Sequence, residues 1–247
     1  MSVPRIHIPA ARIANGEAAL ERDETHYLVN VLRLGGGAAV VVFDGAGHEH
    51  DATLALPASR GAAKLFVGAA RPVEAPPGPP ITLIQALIKN RHFDLVVQKA
   101  AELGAARLVP VRTARTVKEA HAGSGRWRAI AADACRQCRR ADLMAVEDVA
   151  GLKEALAGCA ATLRLIAWEG HDGVPLGRAL EGFAGGSIAV AVGPEGGFTD
   201  GELALAMDAG FTPVTLGKRI LRAETAPLVL LAVIQHVLGD LPARQKV

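Results

Sequence analysis

After residue 80 the chain repeats one alternation: a short, unbroken apolar run, then a stretch with helical spacing, then another apolar run. The runs are 81–88 (ITLIQALI), 107–111 (RLVPV), 162–168 (TLRLIAW), 187–193 (SIAVAVG) and 213–217 (PVTLG). Helical stretches lie between them at roughly 92–103, 124–140, 149–157, 175–182 and 200–209, and a last one spans about 224–238. A strand that is apolar on both faces has no solvent side. It must be covered by helices above and below, and strands each followed by a helix pair in parallel. The expectation is an α/β fold built on a mostly parallel sheet. Such sheets bind ligands beyond the carboxyl ends of their strands. The loops after 162–168, 187–193 and 213–217 are therefore the places to look.

The first 70 residues follow a different pattern. Strands are expected at 5–8 (RIHI), 39–43 (AVVVF), 50–56 and 64–69, with turn residues at Asp44, Gly45 and Gly47. The spacing predicts a helix over 26–34, with Tyr27, Val31 and Leu34 on one face. The run 71–80 (RPVEAPPGPP) holds five prolines in ten residues. Proline has no N–H to give a sheet and favours an extended chain. These shifts divide the sequence into a β-rich domain at 1–72, a linker at 73–80 and an α/β domain at 81–247.

Half the residues are apolar and 21% are charged, enough to build a core and unlike a disordered chain. The longest apolar candidate, 226–238, is broken by Gln235 and His236. It falls short of the roughly 18 residues a membrane helix needs, so no membrane partner is expected. The start, MSVPRIHIPAARI, has no apolar signal core. Three cysteines make no disulfide framework, and a reducing cytoplasm is the expected setting. Residues 86–140 carry twelve Lys and Arg against four Asp and Glu. That basic middle fits either a polyanionic partner or a set of solvated helix faces.

Several chemistries lack their motif. There is no P-loop, no G-x-G-x-x-G after a strand, and none of the four serines sits in a nucleophile elbow. His48, His50 and Asp51 read as a polar hairpin surface. Cys135 and Cys138 form a single C-x-x-C within a helix, without a second pair. No metal is expected. Two loops remain, at the ends of successive strands: Gly193-Pro194-Glu195-Gly196-Gly197-Phe198, and 216–226 (LGKRILRAETA). Glycines let the backbone approach a ligand and present N–H donors unobstructed. Arg222 and Glu224 put a cation and a carboxylate beside one loop, read either as chemistry or as a surface ion pair.

These two loops, followed by an apolar helix, resemble the signature of the RsmE-type 16S ribosomal RNA (uracil-N3) methyltransferases of the SPOUT superfamily. Further matches are His26-Tyr27-Leu28 with Asn30-Val31-Leu32-Arg33, Lys89, the run 98–104 (QKAAELG), Arg126-Trp127, and Cys135, Gln137, Cys138 and Arg140. Together they cover about 20–240. The resemblance implies an N-terminal PUA-like β-barrel, a SPOUT-type parallel sheet whose chain end forms a trefoil knot, and a homodimer. It implies methyl transfer from S-adenosyl-L-methionine to a uridine N3 in 16S rRNA of the small ribosomal subunit.

On that resemblance the cofactor site comprises Leu165, Gly193, Glu195, Gly196, Gly197, Leu216, Gly217, Ile220, Leu221, Arg222, Thr225 and Ala226. Arg222 and Glu224 are the catalytic candidates, as charge stabiliser and proton acceptor, with Glu195 a second candidate base. Glu224 also reads as a structural partner of Arg222 or of helix-start amides. Arg12, Arg33, Lys89, Lys99, Gln137 and Arg140 are the RNA-contact candidates, each also readable singly as ordinary surface. The chain departs from the family at Arg136 and Arg139, where glutamate and glycine are usual, and near Met144, where proline is. Other readings are a related enzyme acting on another RNA, or an RNA-binding protein without turnover.

Overall fold

A computed structural model of the chain describes residues 3–57, 62–116, 123–170, 173–239 and 241. Its contacts divide it into two units, one of residues 1–75 with 135–143 and one of residues 76–134 with 144–247. A boundary drawn from composition at 73–80 does not anticipate that 135–143 group with the first unit.

The first unit is a curled sheet of β1 (Arg5–His7), β2 (Glu17–Ala19), β3 (Ala39–Phe43), β4 (His48–Ala55), β5 (Lys64–Val67) and β6 (Arg71–Pro72). Its order is β1-β3-β4-β5-β2, with β6 paired to β4. All pairs are antiparallel except β1 with β3. Strand β4 alternates, turning His50, Ala52 and Leu54 inward. They join a core with Ile6, Ile8, Leu28, Val42 and Leu65. Pro72 is tolerated because β6 is an edge strand.

The expected helix at 26–34 is only partly α-helical. A short α1 (Arg22–Thr25) runs into a wider π-helical turn at His26–Val31, closed by Leu32 N–H donating to Tyr27 O at 3.0 Å. The wider turn rotates successive side chains differently from a 3.6-residue repeat. Leu28 is consequently the buried anchor, while Val31, expected on the inner face, is 57% exposed.

Residues 135–143 are tied into this unit by polar contacts. Arg140 donates to Asp142 through Nε (3.2 Å) and Nη2 (2.6 Å), and Arg5 Nη2 donates to the Arg140 carbonyl at 3.0 Å. Burial pushes the Asp142 carboxyl up, but the Arg140 bond and charge outweigh it and hold it below the usual carboxylate range. A depressed folded-state value means the pair stabilises above the unfolded carboxylate's titration and is lost as pH falls through the folded one. The thermal midpoint of Asp142→Asn should therefore lie below wild type at neutral pH. The gap should close on acidification below about pH 4, as followed by calorimetry across pH.

The second unit holds β7 (Ile81–Ala86), β8 (Ala105–Arg112), β9 (Ala145–Val146), β10 (Ala150–Gly151), β11 (Leu163–Ala167), β12 (Val174–Pro175), β13 (Ile188–Val192) and β14 (Thr212–Thr215). Its helices are α2 (Asn90–Glu102), α3 (Ser124–Cys138, whose last turn belongs to the first unit), α4 (Leu152–Ala157), α5 (Leu176–Leu180), α6 (Asp200–Asp208) and α7 (Thr225–Leu238). The strand order is β10-β8-β7-β13-β11-β14-β12, with β9 beside β8, and every pair is parallel.

All five residues of β13 are buried, as an apolar run in a doubly covered sheet requires. Ile84, Ile166, Ala189 and Ala191 pack with Leu152, Leu156 and Ala206 of α4 and α6. Helices α2 and α7 pack together, α2 against β8 and α7 against β7 and β13. Helix α7 buries Leu230, Leu231 and Ile234 within the unit, and Gln235 Nε2 donates to Leu103 O at 3.1 Å. Strand β13 enters the sheet between β7 and β11 although it follows both in sequence. That insertion gathers the carboxyl ends of β7, β13, β11 and β14.

Candidate active site

A cavity of about 1530 Å³ opens at those carboxyl ends, lined by the loops that follow β11, β13 and β14. The glycine loop supplies Gly193 through Phe198, and the loop after β14 supplies Leu216 through Glu224. Lys89, His92, Arg115, Trp168 and Glu169 complete much of the rim.

The glycine loop is fixed from both sides. Lys89 N–H donates to Glu195 Oε1 at 3.2 Å, tying it to the end of β7. Arg115 Nη1 donates to the Gly196 carbonyl at 2.7 Å. Thr199 then caps α6: its Oγ1 accepts from Glu202 N–H (3.2 Å), and Glu202 Oε2 accepts from Thr199 N–H (2.9 Å).

In the second loop, the Arg222 carbonyl accepts from the amides of Thr225 (2.8 Å) and Ala226 (3.0 Å), which fixes the backbone at the start of α7. The Arg222 guanidinium is left 82% exposed. Glu224 occupies the N-cap position of α7, yet its side chain makes no capping bond. Its carboxylate is only 13% exposed and lies 3.9 Å from Arg222 Nη1 and 3.9 Å from His92 Nδ1. The carboxylate thus lies on the cavity wall between the Arg222 guanidinium and the His92 ring.

Of the expected cofactor residues, Gly193, Glu195, Gly196, Gly197, Leu216, Gly217, Ile220, Leu221, Arg222 and Ala226 line this cavity, whereas Leu165 and Thr225 do not. Leu165 is fully buried in mid-strand, paired with Val190 on one side and Thr212 on the other. Its side chain belongs to the core because β11 is an inner strand, and only the strand's end reaches the cavity. Leu165→Ala should accordingly cost about 2–5 kcal/mol of folding stability. Urea titration measures this, and ligand affinity of the folded protein should change little.

His92, Arg115 and Trp168 were missed by the sequence reading. The carboxyl-end rule applied to 107–111 would have pointed to Arg115; His92 and Trp168 had no signal beyond proximity to a strand end.

The RNA candidates fall in different settings. Arg33 and Gln137 are exposed, and Arg33 has a positive φ of 56°. Lys89 stands on the cavity rim. Arg12 pairs with Glu24 at 2.6 Å and Lys99 with Glu102 at 2.8 Å. Arg140 is engaged by Asp142 and only 11% exposed, so it serves first as an internal tie. Arg136 lies over the Tyr27 ring, 4.3 Å from its centroid, and donates to the Tyr27 hydroxyl. His48 Nδ1 is 3.0 Å from Asp44 Oδ2, and His50 Nδ1 is 3.0 Å from Gly68 O. Among the described residues, no three His, Cys, Asp or Glu gather as a metal site, and no helix is long and apolar enough to cross a membrane.

Residues 76–235 match the family model described as RNA methyltransferase domain, and residues 20–66 match RNA methyltransferase PUA domain. The parallel sheet with its loop cluster is thus that of an RNA-methylating enzyme, preceded by a PUA domain. The chain is 36% identical over 246 residues to ribosomal RNA small subunit methyltransferase E of Synechocystis, covering 95% of this chain and 78% of the relative. It also resembles the ribosomal RNA small subunit methyltransferase E of Neisseria gonorrhoeae, solved bound to S-adenosyl methionine. That match has 32% identity and a TM-score of 0.84, covering 98% of this chain and 100% of the other. A Legionella pneumophila protein solved with the cofactor SAM bound superposes with a TM-score of 0.86 at 27% identity, covering 98% and 100%. The chain belongs to the ribosomal RNA small subunit methyltransferase E family.

Proposed function

We propose that this protein uses S-adenosylmethionine to methylate N3 of a uridine in 16S rRNA of the small subunit, with the cavity beyond β13 and β14 as its active site. The observation that supports this most is the joint lining of that cavity by both glycine-bearing loops. The cofactor fits the residues present. Gly193 and Gly196 line the cavity, and a side-chain carbon at either would meet Phe198 or Arg115 at 3.2–3.3 Å, so glycine there lets the loop pack closely. Val192, Val214, Leu216, Leu221 and Ala226 add an apolar lining suited to an adenine ring. When bound, the sulfonium compound supplies the electrophilic methyl group.

The chain's own groups manage charge and protons. Uracil N3 carries a proton that must leave for nitrogen to react. Glu224 accepts it at a carboxylate oxygen, and Arg222 stabilises charge on the flanking carbonyl. His92 lies on the far side of Glu224, with Nδ1 3.9 Å from its carboxylate. Glu195 serves instead as the link to Lys89. The target base must leave its stack to reach the pocket. Arg33, Lys89 and Gln137 are the candidates best presented for RNA contact, with Arg12 and Lys99 available on exchange of their carboxylate partners. The family further implies a homodimer and a trefoil-knotted chain end, and we include both in this reading.

Labelled S-adenosylmethionine with purified small subunits lacking the modification tests it. One nucleotide, identified as 3-methyluridine by mass spectrometry, should take the label. Label elsewhere changes the substrate. No label, with cofactor bound, overturns the enzymatic reading.

A further inference from the structure

We propose that Arg115 is a positioning residue: its guanidinium clamps the glycine loop in the conformation that receives the cofactor. The inference rests on the cofactor reading above. Glycine loses more backbone entropy on ordering than any other residue, so a loop with three glycines in five residues is costly to order. Something outside the loop must hold it if the cavity is to exist before ligand arrives.

Arg115 does this by two means. Its Nη1 donates to the Gly196 carbonyl at 2.7 Å and to the Phe198 carbonyl at 3.4 Å, bridging the far half of the loop. Its aliphatic stem lies over Gly196, where a side-chain carbon would come within 3.3 Å of Cδ and 3.4 Å of Cβ. Arginine suits this role because one guanidinium nitrogen carries two N–H donors, and the always-charged group sits at the end of a long stem that can pack on the loop.

The clamp is itself anchored. Arg115 sits in a turn after β8, where Thr113 N–H donates to Thr116 Oγ1 at 2.9 Å. Next to it, Ala114 N–H donates to Glu202 Oε1 at 2.7 Å. Glu202 uses its other oxygen to cap α6 directly after the loop. The turn after β8, the glycine loop and the start of α6 are thereby joined through one arginine and one glutamate. This is preorganisation, which raises affinity by removing an ordering cost from the binding step.

Calorimetric titration with S-adenosylmethionine and S-adenosylhomocysteine, combined with amide spectra of the ligand-free chain, tests the proposal. Arg115→Ala should weaken both ligands about tenfold or more, the loss of one charge-assisted bond. The Gly193, Gly196 and Gly197 amide signals should shift or broaden before any ligand is added. Arg115→Lys should recover only part of the affinity, and millimolar ethylguanidinium should restore binding to the alanine variant. Affinity within about twofold of wild type, with unmoved glycine signals, overturns the clamp. So does a fall in melting temperature with both readouts unchanged, which would show a purely structural role. A wild-type chain that binds neither compound overturns the cofactor reading instead, and the ligand-free spectra then decide the clamp alone.

Discussion

Arg222→Ala is expected to bind S-adenosylmethionine as wild type does and to methylate small subunits about a hundredfold more slowly. The backbone of residue 222 is held by the two amides that open α7, and substitution leaves that turn intact. Only the exposed guanidinium is lost, so the effect should fall on charge developing at the base rather than on ligand retention. Single-turnover rates beside calorimetric affinities separate the two. A variant that loses cofactor binding while turning over bound cofactor normally would move Arg222 from the reacting base to the ligand.

The second large effect concerns two glycines that are required for opposite reasons. Gly217 has a φ of +102°, yet a side-chain carbon there would meet nothing within 4 Å. Gly193 has no such backbone demand. A side-chain carbon there would sit 3.2 Å from the Phe198 amide nitrogen and 3.3 Å from the Gly197 carbonyl carbon. Gly217→Ala therefore has room but strains the backbone by about 1–3 kcal/mol. Gly193→Ala has a permitted backbone but pushes the glycine loop outward. Each should weaken S-adenosylmethionine about tenfold or more. Amide spectra should differ, the first substitution moving signals of 216–224 and the second those of 193–198. Unchanged affinity in both variants would mean that these loops do not cradle the cofactor.

Legibility followed the range of the interactions. The apolar runs at 81–88, 107–111, 162–168, 187–193 and 213–217 became β7, β8, β11, β13 and β14 with small shifts at their ends, because burial on both faces leaves an unambiguous pattern. The two-residue strands β6, β9, β10 and β12 left no comparable trace. At 26–34 the apolar spacing was real, but hydrogen bonding closed a wider turn and brought Leu28 inward. Leu165 was assigned to the ligand by the resemblance, and its side chain is fully buried in mid-strand. Arg140 looked like a cation available to RNA and Arg136 like a departure from the family pattern, and their carboxylate and aromatic partners are visible only in three dimensions.

From the residues alone came the parallel α/β class, the loops able to bind a ligand and the family these motifs resemble. All three are written in local periodicity and turn chemistry. Tertiary structure decided which loops meet. Glu195 reaches Lys89 across 106 residues, and Arg115 reaches Gly196 across 81. The first contact follows from β13 pairing beside β7, and the second needs β8 on the other edge of β7 as well. Pairing between distant strands is chosen by the packing of the whole sheet, and no single stretch of chain encodes its partner.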